Sequence, residues 1–97
     1  MRHFYRSHLQ LAAVLAEADT FFPTIGLSQN TTAPKTRTYS GALGALKLSV
    51  KAEGGHYTFV EVNTDQMGES RLDRNVKKFF TTLHRTEEPE HELTSSY

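Results

Sequence analysis

Four cationic side chains fall on one side of the segment SRLDRNVKKFFTTLHR, residues 70–85, if that segment is a helix. They are Arg71, Arg74, Lys78 and Arg85. At about 100° per residue they lie within an arc of about 60°, and no acidic side chain interrupts that arc. Such a line of cations can follow the phosphate groups of a nucleic acid. The alternative is a basic helix face that contacts only water.

The charge of the chain favours the second interpretation. The formal net charge is zero, but residues 1–86 contain all eleven Lys and Arg against seven Asp and Glu, which leaves +4. Residues 87–97 carry four glutamates, which gives −4. A body at +4 is far less basic than a dedicated nucleic-acid binder. We predict a single domain over residues 1–86 and a disordered acidic tail over residues 87–97.

Two further cations, Lys35 and Arg37, lie in the polar stretch SQNTTAPKTRT, which is predicted to be an exposed loop. They could widen a basic surface, and Tyr39 and Tyr57 are candidates for stacking on unpaired bases. The candidate residues for a protein partner or a phosphate are therefore Arg71, Arg74, Lys78, Arg85, Lys35 and Arg37. No nucleic-acid-binding motif of known spacing accompanies them.

Catalytic and metal-binding patterns are missing from the sequence. The chain has no cysteine, which excludes disulfides, thiolate metal sites and cysteine nucleophiles. The stretch GALGAL lacks the third glycine of a dinucleotide loop and the lysine of a P-loop. Histidines and glutamates near the C-terminus would make a poor metal cage. We therefore expect a protein that is not an enzyme and that has no metal or cofactor.

The elements that position these residues begin with a helix predicted from Phe4 to Ala18. Its apolar arc is wider than one sheet face can cover, so a second helix or a second subunit is implied. The flank expected to mediate self-association is Tyr5, Leu9, Ala12 and Ala16. His8 lies within the arc, where it is either a titrating group or a histidine hydrogen-bonded in the core or at a subunit interface.

The middle of the chain predicts strands. Phe21–Leu27 is a candidate for a short edge strand. Apolar and polar residues alternate from Leu46 to Glu53, and Gly54-Gly55 suits a hairpin turn. Pairing across those glycines would place Ala52 opposite Tyr57 and Val50 opposite Phe59. A helix over residues 40–53, capped by Gly54, is the alternative.

The last element is a helix that starts with a capping-box-like pair, Ser70 and Asp73. Its apolar stripe is Leu72, Val76, Phe79, Phe80 and Leu83. The predicted fold is therefore α+β, with N-terminal and C-terminal helices packed on a small antiparallel sheet made of a hairpin and a short edge strand. The predicted core is Leu11, Leu15, Leu48, Val50, Phe59, Leu72, Val76, Phe79 and Leu83.

These observations lead to an expected function. No apolar run approaches the roughly 18 residues of a membrane span, and the absence of cysteine suits a reducing compartment. We expect a small cytoplasmic binding or regulatory protein that acts through protein–protein contact, as a homodimer, without membrane contact. The alternative is a nucleic-acid-binding module that uses the basic face of the C-terminal helix. A small enzyme with an unmarked active site is third.

Overall fold

Two helices pack on one face of a five-stranded antiparallel sheet in the computed structural model, which describes residues 1–87. In chain order the elements are β1 (Arg2–Ser7), α1 (Leu11–Thr24), β2 (Leu27–Ala33), β3 (Thr36–Gly41), β4 (Gly44–Glu53), β5 (Tyr57–Thr64) and α2 (Arg71–Glu87). The strand order is β1-β5-β4-β3-β2. The predicted α+β class is confirmed. Glu87, the first residue of the predicted tail, belongs to α2, and residues 88–97 lie outside the described part of the chain.

The core lies between the helices and the sheet face that they cover. Most of the predicted core residues are buried there: Leu15, Leu48, Val50, Leu72, Val76, Phe79 and Leu83. Leu11 is partly buried against them. Phe22 and Tyr39, which the sequence did not place in the core, are fully buried, and their rings lie 5.0 Å apart.

The predicted helix over Phe4–Ala18 is wrong in its first half. Residues 2–7 form β1, which pairs antiparallel with β5, and α1 begins only at Leu11. The side chains alternate between the two faces of the sheet, a period-2 pattern that also fits strand geometry. Aromatic residues pack well on a pleated surface, and pairing with β5 decides between the two conformations. The helix therefore starts later and runs on to Thr24.

Two assignments in the middle of the chain are also corrected. Phe21 belongs to the last turns of α1, and the edge strand begins only at Leu27. The stretch predicted to be a loop, residues 28–38, instead forms most of β2 and the start of β3, joined by a tight turn at Pro34 and Lys35. Threonine-rich sequences suit strands as well as loops, and pairing with β4 selects the strand.

The β4–β5 hairpin is confirmed, and residues 44–53 are a strand rather than a helix. Its register differs by one residue from the prediction, because the turn includes His56 as well as the two glycines. Val50 therefore pairs with Val60, and Phe59 points to the opposite face. A one-residue slip moves every side chain of a strand to the other side of the sheet.

Candidate functional site

The strand β1 presents different chemistry on its two faces. His3, Tyr5 and Ser7 point toward the helices, and His3 and Ser7 are buried. The alternate residues, Arg2, Phe4 and Arg6, point away from the helices. The sheet face that they share with the outward side chains of β5 and β4 has neither helix on it; we call this surface the open face.

Two phenylalanine rings stack on the open face. The ring centroids of Phe4 and Phe59 lie 5.9 Å apart, with 29° between the ring planes. Phe4 is 55% exposed, which is unusual for so large an apolar side chain in a chain with a modest core. The pair is therefore an aromatic platform that crosses from β1 to β5, with Phe4 exposed and Phe59 partly buried.

Each ring of the platform lies beneath an arginine. The guanidinium carbon of Arg2 is 5.4 Å from the centroid of Phe4, and that of Arg6 is 5.3 Å from the centroid of Phe59. Both distances are within the range in which the positive charge is attracted to the negative face of the ring. The platform is thus flanked by cations on both sides.

The cationic character continues onto the neighbouring strand. Lys51 of β4 pairs with Phe59, and Lys47 pairs with Asn63, so both lysines belong to the open face, where they are exposed. A groove of about 310 Å³ is lined by Lys51 together with Ser49, Phe59 and the carboxylates of Glu53 and Glu61. On β3 the outward residues opposite Lys47 and Ser49 are threonines, whose hydroxyls can donate and accept hydrogen bonds.

Two carboxylates on the same face bind the arginines. The Nη2 atom of Arg2 lies 2.9 Å from Oε1 of Glu61, and the Nε atom of Arg6 lies 2.8 Å from Oε1 of Glu53. Asn63 donates to the other oxygen of Glu61 at 2.9 Å. The hydrogen bonds from Asn63 and Arg2 hold the pKa of Glu61 below its usual value. Four cations and two acids leave this part of the open face with a charge of +2.

The helix α2 holds β1 in place at its N-terminal end. Asp73 is fully buried, and its Oδ1 atom lies 2.8 Å from Nε2 of His3. The same carboxylate accepts hydrogen bonds from Ser70, Thr64 and the backbone N–H of Gly68. Burial alone would raise the pKa of Asp73, but these hydrogen bonds outweigh it and hold the pKa well below the usual value.

A second carboxylate joins the other end of α2 to β1. Glu87 accepts a hydrogen bond from the hydroxyl of Tyr5 at 2.6 Å and one from the hydroxyl of Ser7 at 3.0 Å. It also accepts the backbone N–H of His8. All three inward residues of β1 therefore contact carboxylates of α2, while its outward residues form the open face.

The structure separates the cations that the sequence grouped together. Arg71, Arg74 and Lys78 line one groove of about 560 Å³ on the helical side of the molecule, and Arg85 lies beyond it on the same helix. Lys35 is in the β2–β3 turn. The side chain of Arg37 is only 15% exposed and donates to Asp19 of α1.

The residues predicted to mediate self-association do not share one helix face, which is a correction to the over-wide apolar arc. Tyr5 belongs to β1, and its ring lies 5.4 Å from that of Phe80. Leu9 is in the turn before α1, and Ala12 and Ala16 are exposed on α1. Self-association itself stays a prediction.

His8, the candidate for a titrating or hydrogen-bonded core histidine, does not belong to the core. His8 is exposed in the turn after β1, and its ring lies 4.8 Å from that of Tyr57. Both border a groove of about 520 Å³ that also includes His56. Within residues 1–87 no three His, Asp or Glu side chains are grouped so that they could hold a metal ion. Tyr39, a candidate for stacking, is buried and donates to Asp19.

No protein-family model and no curated protein sequence matches this chain. Neither helix of the described residues is long and apolar enough to cross a membrane.

Proposed function

We propose that this protein is a non-enzymatic binding module that binds single-stranded nucleic acid on its open face. The observation that carries the proposal is the Phe4–Phe59 ring pair between two arginines, with Phe4 55% exposed. Unpaired bases stack on exposed aromatic side chains of many proteins, and each such contact is worth about 1–3 kcal/mol by alanine substitution. Every base has a π-face, so this mode of binding needs no sequence motif.

The charges around the platform support the same ligand class. Lys47 and Lys51 lie one strand away from the rings, so the phosphate backbone can follow β4 while a base takes the place of the Arg2 guanidinium over the ring of Phe4. The hydroxyl of Ser49 lies between the two lysines on β4, and the amide of Asn63 lies opposite Lys47 on β5; both groups can bind sugar or phosphate oxygens. Aromatic rings for bases next to cations for phosphates are the general requirements of a single-strand site.

The open face is a different surface from the basic helix face that the sequence suggests. Arg71, Arg74 and Lys78 lie on the helical side of the molecule. Their groove has Ile25 and Leu43 as its apolar lining and contains no aromatic ring on which a base could stack. The open face provides both interactions, and we therefore assign the nucleic acid to it.

A direct test is fluorescence anisotropy with a labelled oligothymidylate of about ten nucleotides, a length within the usual range of site sizes. We expect binding that weakens as salt rises, because phosphate contacts release counterions. Phe4→Ala and Lys51→Ala should each weaken binding. Lys77→Ala removes the same charge from an exposed position on α2 and is the matched control. Equal affinities for Lys51→Ala and Lys77→Ala, together with an unchanged Phe4→Ala, would refute the proposal.

The second candidate is protein–protein contact, as a homodimer, through the same face. It is favoured by the exposed apolar ring of Phe4 and by the presence of both charge signs nearby. The repulsion between the exposed lysines of two copies makes it the weaker candidate. Sedimentation equilibrium separates the two: a dimer that Phe4→Glu converts to a monomer would support self-association, and a wild-type monomer at high micromolar concentration would exclude it.

A further inference from the structure

The arginines beside the aromatic platform already have anionic partners within the chain. Arg2 directs both Nε and Nη2 to Oε1 of Glu61, at 3.0 and 2.9 Å. Arg6 directs Nε to Glu53 at 2.8 Å. These guanidinium groups have the donor geometry that binds phosphate oxygens, and the carboxylates occupy part of it.

We infer that Glu61 and Glu53 are intramolecular competitors for the phosphate groups of the ligand. In the free protein they neutralise Arg2 and Arg6, so that Lys47 and Lys51 are the first cations of the open face to meet a polyanion. The arginines contribute fully only when phosphate displaces the carboxylates. This inference rests on the proposed function, because it concerns the same face and the same ligand.

The carboxylates of Glu61 and Glu53 differ in the number of their hydrogen bonds and in their exposure. Glu61 is bound by Arg2 through one oxygen and by Asn63 through the other, and its side chain is 27% exposed. Glu53 is 40% exposed, and its carboxylate is bound by the Nε atom of Arg6. A doubly bound, less exposed carboxylate is harder to displace, since water screens it less. Glu61 is therefore the stronger competitor.

Competition by the two carboxylates accounts for the charge of only +2 on the part of the open face that presents these four cations. A small net charge limits nonspecific attraction to any polyanion. A ligand that stacks on the rings gains additional free energy with which to displace the carboxylates, whereas a polyanion without bases does not. The carboxylates thus favour single-stranded nucleic acid over other polyanions.

The test compares Glu61→Gln and Glu53→Gln with wild type, using the labelled oligothymidylate and heparin as a polyanion without bases. Glu17→Gln removes the same charge from α1, on the other side of the sheet, and is the matched control. Each exposed pair can change an equilibrium constant by up to about fivefold. We expect Glu61→Gln to tighten oligothymidylate binding about two- to fivefold, Glu53→Gln somewhat less, and Glu17→Gln hardly at all.

The salt dependence and the heparin affinity provide further readouts. Each newly engaged phosphate should steepen the plot of log affinity against log salt by about 0.7 for a single strand. Both Gln variants should also lose part of the wild-type preference for oligothymidylate over heparin. Circular dichroism melting of each variant checks that the fold is retained.

The possible failures can be told apart. If wild type binds and Phe4→Ala weakens binding, but Glu61→Gln binds no more tightly than Glu17→Gln, the inference is wrong and the proposed function stands. Weaker binding by Glu61→Gln would also overturn it, because the carboxylate would then be orienting Arg2 for the ligand. If wild type does not bind oligothymidylate even at low salt, the proposed function itself fails.

Discussion

The Nε2 atom of His3 lies 2.8 Å from the Oδ1 atom of Asp73, and both side chains are buried. This pair joins β1 to the first turn of α2. The outward neighbours of His3 on the same strand are Arg2 and Phe4, which belong to the open face. The open face on one side of the sheet therefore depends on a polar contact on the other side.

Replacing Asp73 by Ala should destabilise the protein strongly. The change removes the acceptor of His3, Ser70, Thr64 and the Gly68 N–H at once, and it leaves buried polar groups without partners. Each buried polar group left without a partner typically costs about 1–3 kcal/mol, so we expect a loss of several kcal/mol. Urea denaturation measures the loss, with Glu17→Ala as the control. A free energy of unfolding close to that of wild type would contradict this description of the pair.

The same carboxylate predicts a pH dependence. The folded-state pKa of Asp73 is held below the usual value of about 3.9 for an unfolded chain. Its contribution to stability is therefore present above that unfolded value and is lost as pH falls toward the lower folded value. We expect the free energy of unfolding to fall below about pH 4, and Asp73→Asn should flatten this part of the curve. A wild-type curve that is level there would exclude the effect.

The C-terminal helix could be predicted from sequence because several local signals agree. Its stripe of Leu72, Val76, Phe79 and Leu83 has helical spacing, and all four side chains are buried. The cap is also formed as expected: the N–H of Asp73 donates to the hydroxyl of Ser70 at 3.0 Å. Periodicity and capping both lie within a short segment, so no distant partner was needed to recognise the helix.

The open face could not be predicted, because two of its strands depend on distant pairing. In isolation, residues 2–7 fit a helical wheel as well as an alternating strand, and only the antiparallel contact with β5 decides between them. A two-residue turn predicts that Phe59 points into the core, but the turn also includes His56, which shifts the register by one residue. The available signal was the alternation RHFYRS, with cationic and aromatic residues at every second position.

Truncating a buried phenylalanine and an exposed one should reduce the stability of the protein by very different amounts. Phe79 is fully buried and packs against Phe22, with ring centroids 5.0 Å apart. Phe79→Ala should cost about 3–5 kcal/mol through lost burial and a residual cavity. Phe4→Ala should cost far less, because Phe4 is already more than half exposed. Thermal melting compares them, and a large loss for Phe4 would show that the ring is structural rather than a surface for ligand.

The contact between Glu87 and β1 predicts that the end of α2 contributes to stability. Glu87→Ala removes the acceptor for Tyr5, Ser7 and the N–H of His8. Hydrogen bonds to charged groups are worth about 1.5–3 kcal/mol each at most, and this site is only partly buried, so we expect a total loss of about 1–3 kcal/mol. Arg85→Ala, on an exposed position nearby, is the control. Equal stability of the two variants would contradict the prediction.

Binding of single-stranded nucleic acid to the open face can be observed residue by residue in a heteronuclear NMR titration of the full chain with unlabelled oligothymidylate. We expect saturable, salt-sensitive amide shifts concentrated on β1, β5 and β4, around Phe4, Lys51 and Phe59. Shifts concentrated instead on α2 around Arg74 and Lys78, or no shifts at low salt, would contradict binding at this face.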